Sequence, residues 1–127
     1  MDYLIDTHTL LWYFKGDELL SKTAKEIIDS VDEKKFISIA SLWEMAVKLN
    51  IEKLKIDYPF SEIEKKINAR HITILGINFQ HTEQIIKLPL HHRDPFDRMI
   101  IAQSIIEDLT VISKDKNFTL YPIKLLW

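Results

Sequence analysis

The sequence predicts an α/β fold, a three-layer α/β/α domain around a central, mostly parallel sheet, and three observations carry that expectation. Apolar runs of strand length alternate along the whole chain with stretches of helical periodicity, the order that right-handed strand–helix–strand crossovers produce. A length of 127 residues suffices for one hydrophobic core and is short for two, so residues 1–127 are expected to form one domain, with no linker, repeat or low-complexity tract dividing them. Hydrophobic residues at 46% and charged residues at 28% give a globular composition rather than a disordered one.

Tyr3-Leu4-Ile5 reads as the first strand. A helix follows from about Thr7 through Leu10, Leu11, Trp12 and Phe14, and Gly16 stops it. Ser21 is placed to cap a second helix, in which Ala24, Ile27, Ile28 and Val31 recur at the spacing of one buried face. Phe36-Ile37-Ser38-Ile39 is the next strand, and a helix from about Ser41 to Asn50 follows it. A charged amphipathic helix starts near Pro59 with Phe60, Ile63 and Ile67 turned inward. Ile72-Thr73-Ile74-Leu75 is a strand, and a helix from about Asn78 ends before Pro89. From Pro95 to about Glu107 the chain is apolar on nearly every side, so this helix is expected to be the most buried. Val111-Ile112-Ser113 makes another strand, and Tyr121-Pro122-Ile123 a short edge strand, where proline is tolerated.

Several functions are excluded early. With no cysteine there is neither a disulfide nor a thiolate metal site, so any metal must be held by oxygen or histidine. Gly16 and Gly76 are the only glycines, too few for a glycine-rich phosphate loop. No apolar run approaches the roughly 20 residues that span a bilayer, and Met1 to Asp6 lack the basic start of a signal peptide. No membrane partner is therefore expected, and a cytoplasmic location is. The formal charge of −2 shows no overall basic excess, but Arg93, Arg98, Lys114 and Lys116 stand beside acids and are candidate phosphate contacts.

Those acids carry the functional reading. Asp6, Glu44, Asp97 and Asp115 each come behind a short apolar run, and in open α/β sheets such positions converge in the crevice beyond the carboxyl ends of the strands. Each has a structural explanation as well. Asp6 suits a helix N-cap beside Thr7, and Ser41-Leu42-Trp43-Glu44 is a capping box, with Lys48 one turn beyond Glu44. Asp94-Pro95-Phe96-Asp97 reads as N-cap, N1 proline and an acid favoured by the helix dipole, and Asp115 suits a turn. Capping does not require an acid at every one of these places, however, and a repelling cluster is tolerable around a hard dication such as Mg²⁺ or Mn²⁺. A sheet opening of this kind also suits a haloacid-dehalogenase-type phosphatase, but that enzyme needs a second aspartate where His8 stands. Neighbouring His91 and His92 are expected to face opposite sides of an extended segment and not to share an ion.

Four blocks extend this reading: Leu4-Ile5-Asp6-Thr7-His8-Thr9-Leu10-Leu11-Trp12, Ser41-Leu42-Trp43-Glu44-Met45-Ala46-Val47-Lys48, His92-Arg93-Asp94-Pro95-Phe96-Asp97-Arg98-Met99-Ile100-Ile101-Ala102-Gln103, and Ser113-Lys114-Asp115-Lys116-Asn117-Phe118. Together they resemble the PIN-domain ribonucleases, in particular the VapC-type toxins of type II toxin–antitoxin pairs. The third block is the most specific. One departure is visible, because members often carry a glycine before the Lys-Leu that follows the Glu44 helix, whereas Ile51-Glu52-Lys53-Leu54 has none.

The resemblance implies a PIN-like fold and an Mg²⁺- or Mn²⁺-dependent endoribonuclease with Asp6, Glu44, Asp97 and Asp115 as its acidic set. Asp6 and Asp97 would bind the principal ion, Glu44 and Asp115 would complete its shell, and Thr7, Asp94 and Ser113 would support them. Four ionised carboxylates with one dication leave about −2 beside an anionic substrate, so a second ion or a raised pKa must offset the difference. Implied partners are an RNA substrate, a cognate antitoxin protein and a second copy of the chain in a homodimer. Exposed-looking Trp12, Phe14 and Trp43 fit a groove for a partner helix or complete the core equally well. The rival readings are a DNA-cleaving enzyme similar to flap nucleases and a non-catalytic RNA- or protein-binding PIN module.

Overall fold

A computed structural model describes residues 1–127. Strands β1 (Asp2–Ile5), β2 (Lys34–Ser38), β3 (Ile72–Leu75), β4 (Thr110–Ile112) and β5 (Leu125–Leu126) form one sheet in the order β3-β2-β1-β4-β5. Every neighbouring pair is parallel, with Leu4 beside Phe36 and Val111, and Ile5 beside Ile37 and Ile112. The chain builds outward from β1 through β2 to β3, then crosses to the other side of β1 to lay down β4 and β5. The direction of winding therefore reverses between β1 and β4, and a crevice opens beyond the carboxyl ends of those two strands.

Helices α1 (Thr7–Lys15), α2 (Lys22–Asp29), α3 (Ile39–Asn50), α4 (Glu62–Ala69), α5 (Phe79–Lys87) and α6 (Pro95–Ile106) connect the strands. Successive strand residues face opposite sides of the sheet, so β1 feeds two cores. Tyr3 and Ile5 join Leu10, Ile28, Met45 and Ile67 on one face, whereas Leu4 joins Ile100, Ile101, Val111 and Phe118 on the other. This is the layered, mostly parallel architecture expected, with all pairs in fact parallel. Helix α6 buries six of its residues, more than any other helix, as its apolar composition predicts.

Local differences have identifiable causes. Helix α3 starts two residues earlier than expected, because the Ser38 side chain at the end of β2 accepts from Ala40 N and caps the helix there. Glu44 is therefore in the second turn and makes no capping box with Ser41; its partner is Lys48. Helix α4 begins at Glu62, leaving Phe60 before it and partly exposed, and Val31 lies beyond the end of α2 and faces solvent. Tyr121-Pro122-Ile123 is not a strand. A 3₁₀ turn, Lys116–Leu120, carries the chain past it, and the edge strand forms at Leu125–Leu126.

Gly16 ends α1 in the left-handed region at φ 70°, as its position predicts. Three other helix exits use that conformation without glycine: Glu52 at φ 58°, His71 at 57° and Asp108 at 55°. Glu52 occupies the place of the glycine missing before Lys53-Leu54, so the turn is kept and the side chain accepts the strain. On β2 the buried Lys35 amine donates to Ile28 O (2.6 Å) and Ser30 O (2.7 Å), closing the end of α2, and burial lowers its pKa.

Phe118 is fully buried where the segment following β4 packs onto the second core. Phe118→Ala is expected to cost about 3–5 kcal/mol of unfolding free energy, read by chemical denaturation as a lower midpoint with little change in slope.

Candidate active site

The site is assembled by the ends of elements rather than by one of them. Asp6 follows β1, and its backbone N–H donates to Ile112 O (3.1 Å), so the sheet ladder itself fixes its position. Thr9, one turn into α1, donates its hydroxyl to the same carbonyl at 2.9 Å, pinning the start of α1 to β4. Ser113 and Asp115 follow β4. Glu44 reaches in from α3, and Asp97 from the first turn of α6, where the helix dipole favours a negative charge. Asp97 thus follows no strand, unlike the expectation for all four acids; the loop before α6 and its Pro95 start deliver it instead.

Every acid is held by a named donor. Asp6 caps α1, accepting from Thr7 N on one oxygen (2.8 Å) and from the Ser113 hydroxyl on the other (2.8 Å). Ser113 Oγ in turn accepts from Asp115 N at 3.0 Å, and Asp115 caps the 3₁₀ turn by accepting from Asn117 N at 2.9 Å. Glu44, buried, pairs with the Lys48 amine at 2.6 Å. Asp94 accepts from Phe96 N (2.9 Å) and Asp97 N (3.1 Å) as the N-cap of α6. Asp97 faces His92 Nε2 at 3.2 Å. The structural and the chemical explanations of these residues are therefore compatible.

Electrostatics joins the acids into one system. Burial pushes the Asp6 carboxyl up to about 7; the Ser113 and Thr7 hydrogen bonds oppose this, and the charges of Glu44 and Asp115 add to it. Burial likewise raises Asp97, reinforced by Asp94, Asp6 and Asp115 and opposed by the His92 hydrogen bond. Burial alone would lower the Lys48 amine, but Glu44, with Asp94 and Asp97 beyond it, raises it overall. Lys48 is thus a cation set among the acids, which sequence reasoning treated only as a helix pair for Glu44.

The side chains do not form a finished metal cage: no three His, Asp or Glu groups stand in a ready ligating arrangement. The fit to a hard dication is one of chemistry and charge. The donors are carboxylate oxygens, and two of them are held above their usual pKa by burial and mutual repulsion, an energy that a cation would relieve. Thr7 Oγ1, next in sequence to Asp6, and Ser41 Oγ, one turn before Glu44 on α3, are buried and make no hydrogen bond within the protein. A cleft of about 320 Å³ reaches Asp6, Ser113 and Asp115 between His8, Trp12 and Lys114. The exposed His8 ring lies 6.1 Å from that of Trp12, and the Lys114 amine sits 5.6 Å from the Trp12 ring centre.

The basic residues divide. Arg93, Lys114 and Lys116 are exposed near the site. Arg98 is not available for phosphate: it is buried, and its guanidinium donates to Pro89 O (2.8 Å), Tyr121 Oη (3.1 Å) and, more weakly, His92 O and Leu88 O. Successive helix residues point about 100° apart, so Arg98 turns away from the direction of Asp97 and clamps the preceding loop. The His91 and His92 rings both pack against Tyr121, at 5.0 and 5.4 Å between ring centres, and His92 is the one that reaches Asp97. His92, Tyr121 and Lys48 are the site neighbours given no such role by the sequence reading; an acid–base pair at i, i+4 signalled Lys48, His92 was weighed only as a metal ligand with His91, and nothing local signalled Tyr121.

A raised carboxyl pKa has a defined thermodynamic sign. Folded Asp6 binds its proton more tightly than the unfolded chain does, so its stabilising contribution is present below the unfolded value near 4 and is lost as pH rises through about 7. In chelator-treated protein, the melting temperature is expected to fall between pH 5 and 8. Asp6→Asn is expected to flatten this trend and to recover roughly 2–4 kcal/mol at pH 8, measured by calorimetry across the pH series.

Comparison with known proteins agrees with this geometry. The chain is 27% identical over 115 residues to Ribonuclease VapC22 of Mycobacterium tuberculosis, covering 90% of this chain and 87% of the relative. Its fold is similar to that of VapBC2 from Rickettsia felis bound to a DNA fragment from their promoter, with TM-score 0.75, 17% identity and coverage of 100% and 99% of the two chains. It is similar also to DNA-bound VapBC from Salmonella typhimurium, with TM-score 0.73, 16% identity and coverage of 99% and 97%. The PIN domain profile matches residues 3–124, and with strand order, switch-point crevice and acidic set already in place, the chain belongs to the PIN domain family.

Proposed function

We propose that residues 1–127 form one nuclease domain, a Mg²⁺- or Mn²⁺-dependent endoribonuclease that acts as the toxin of a toxin–antitoxin pair in the cytoplasm. The observation that carries this reading is the electrostatic coupling of Asp6, Glu44, Asp97 and Asp115 at the switch point between β1 and β4. The PIN profile and the VapC22 likeness support the choice of RNA as substrate and hydrolysis as reaction.

Asp6 and Asp97 would hold the principal ion, with Glu44 and Asp115 completing its surroundings. The chemistry a dication would supply there is activation of the attacking water and polarisation of the scissile phosphoryl group. The chain supplies the rest. Ser113 and Thr7 N hold the Asp6 carboxylate in one orientation, and Asp94 fixes the first turn of α6 that carries Asp97. Lys48 lessens the net negative charge that an incoming phosphate meets. Arg93, Lys114 and Lys116, all exposed, would contact the RNA backbone, and Thr7 would support Asp6 at the start of α1.

A protein partner is part of the same proposal. The structural neighbours are VapBC complexes, and this chain exposes Trp43 at 59%, stacked edge-on to Phe96 at 5.0 Å. Cavities of about 370 and 520 Å³ flank Trp43, one toward Ile77 and Ile85 and the other toward Ile39, Leu42 and Phe60. Such a surface suits the apolar face of an antitoxin helix, and a homodimer completes the proposed assembly. No helix is long and apolar enough to cross a membrane.

The test is cleavage by purified protein. Structured RNA with Mg²⁺ is expected to be cut, DNA of the same sequence to survive, and EDTA to stop the reaction. Asp6→Asn and Asp97→Asn are each expected to lower the rate by roughly 10²-fold or more, since loss of even an outer partner of a metal ligand costs 10- to 100-fold. Cleavage that persists in both variants, or that selects DNA, overturns the proposal.

A further inference from the structure

Tyr121 lies 24 residues beyond Asp97, in the segment between the 3₁₀ turn and β5, and nothing in the reaction as described uses it. Its ring is buried in the second core, and its hydroxyl is the meeting point of three polar groups. Arg98 Nη1 stands 3.1 Å away, His92 N 3.4 Å and His92 Nδ1 2.8 Å. Arginine and a backbone N–H can only donate, so they occupy the two acceptor positions of the phenol oxygen. Its proton then has one destination, His92 Nδ1. With Nδ1 accepting, the ring proton sits on Nε2, which faces Asp97 Oδ2 at 3.2 Å. The donors thus run in one direction, from Arg98 to Tyr121 to His92 to Asp97.

We propose that Tyr121 is a positioning residue for Asp97: its hydroxyl, fixed by Arg98, holds His92 in the tautomer that donates to the Asp97 carboxylate and leaves the other carboxylate oxygen free for the site. The importance of Asp97 rests on the nuclease reading above; the hydrogen-bond chain does not. Arg98 adds a second constraint, because its bonds to Pro89 O and His92 O hold the loop that carries His92. Orienting partners of this kind shape a carboxylate's affinity for metal without touching the ion.

Two readouts separate the chain from the reaction. Nitrogen-resolved NMR of the imidazole rings is expected to show His92 as the Nε2–H tautomer in the wild type and as a mixture in Tyr121→Phe, which keeps the buried ring and removes only the hydroxyl. A wild-type Nδ1–H tautomer, or a ring signal unmoved by Tyr121→Phe, overturns the proposal whatever the protein cleaves. The second readout is Mn²⁺ affinity, measured by titration calorimetry alongside kcat and KM on RNA. Tyr121→Phe is expected to weaken Mn²⁺ binding by about 10-fold and to lower kcat with KM nearly constant. His92→Gln, whose amide nitrogen takes the place of Nε2, should stay within about 3-fold of wild type, whereas His92→Asn, which reaches only the Nδ1 position, should match Tyr121→Phe. Equal Mn²⁺ affinity in wild type and Tyr121→Phe, or better function in His92→Asn than in His92→Gln, overturns it. A wild type that shows the expected tautomer but neither binds Mn²⁺ nor cuts RNA would sink the nuclease reading and leave the chain standing.

Discussion

Repulsion among carboxylates withdrawn from water is the constraint around which the carboxyl edge of this sheet is organised. Parallel strands bring their ends to one side, and the reversal of winding between β1 and β4 keeps that side open. Asp6 is almost wholly buried there, with Glu44 and Asp115 near enough to raise its pKa, and Asp97 is raised by burial and by the charges of Asp94, Asp6 and Asp115. Fold stability alone gives no reason to gather like charges in a low-dielectric crevice, because such a cluster weakens the folded state at neutral pH. The arrangement makes sense when the opposing charge is supplied from outside: partly by the Lys48 amine, and in the proposed function by a dication.

The same side chains also start the helices around the crevice. Asp6 caps α1, Asp94 caps α6, and Asp115 caps the 3₁₀ turn. A cap fixes its own carboxylate as firmly as it fixes the helix, since one oxygen is committed to a backbone N–H. Rigid placement of the site is therefore obtained from ordinary helix-end chemistry, and the two roles of an acid reinforce each other. Removing a charge while keeping the cap separates them, which is why asparagine is the informative replacement at Asp6.

Four of the five strands were legible in the sequence, and the four acids stood out as candidates, because both readings use local signals: short apolar runs, and an acid near a helix start. The start of α3 was less legible, since Ser38 and Ser41 are both good caps and only pairing of β2 as far as Ser38 decides between them. Arg98 misled for a related reason. Adjacency to Asp97 suggested a shared site, yet one step along a helix rotates the side chain toward the loop at residues 88–92. His92 and Tyr121 are 29 residues apart, and their contact exists only after the loop and the 3₁₀ turn have packed, so no periodicity announces it.

The helix exits at Glu52, His71 and Asp108 have a consequence for how this protein can change. Helices α3 and α6 leave the carboxyl edge and run back, and His71 and Asp108 come one and two residues before β3 and β4, so these left-handed residues lie toward the far edge of the sheet. A side chain in that conformation carries strain of about 1 kcal/mol that glycine lacks. Durability can thus drift in evolution, or be adjusted by an engineer, at one pole of the molecule while chemistry is conserved at the other, and the two traits are free to be selected separately.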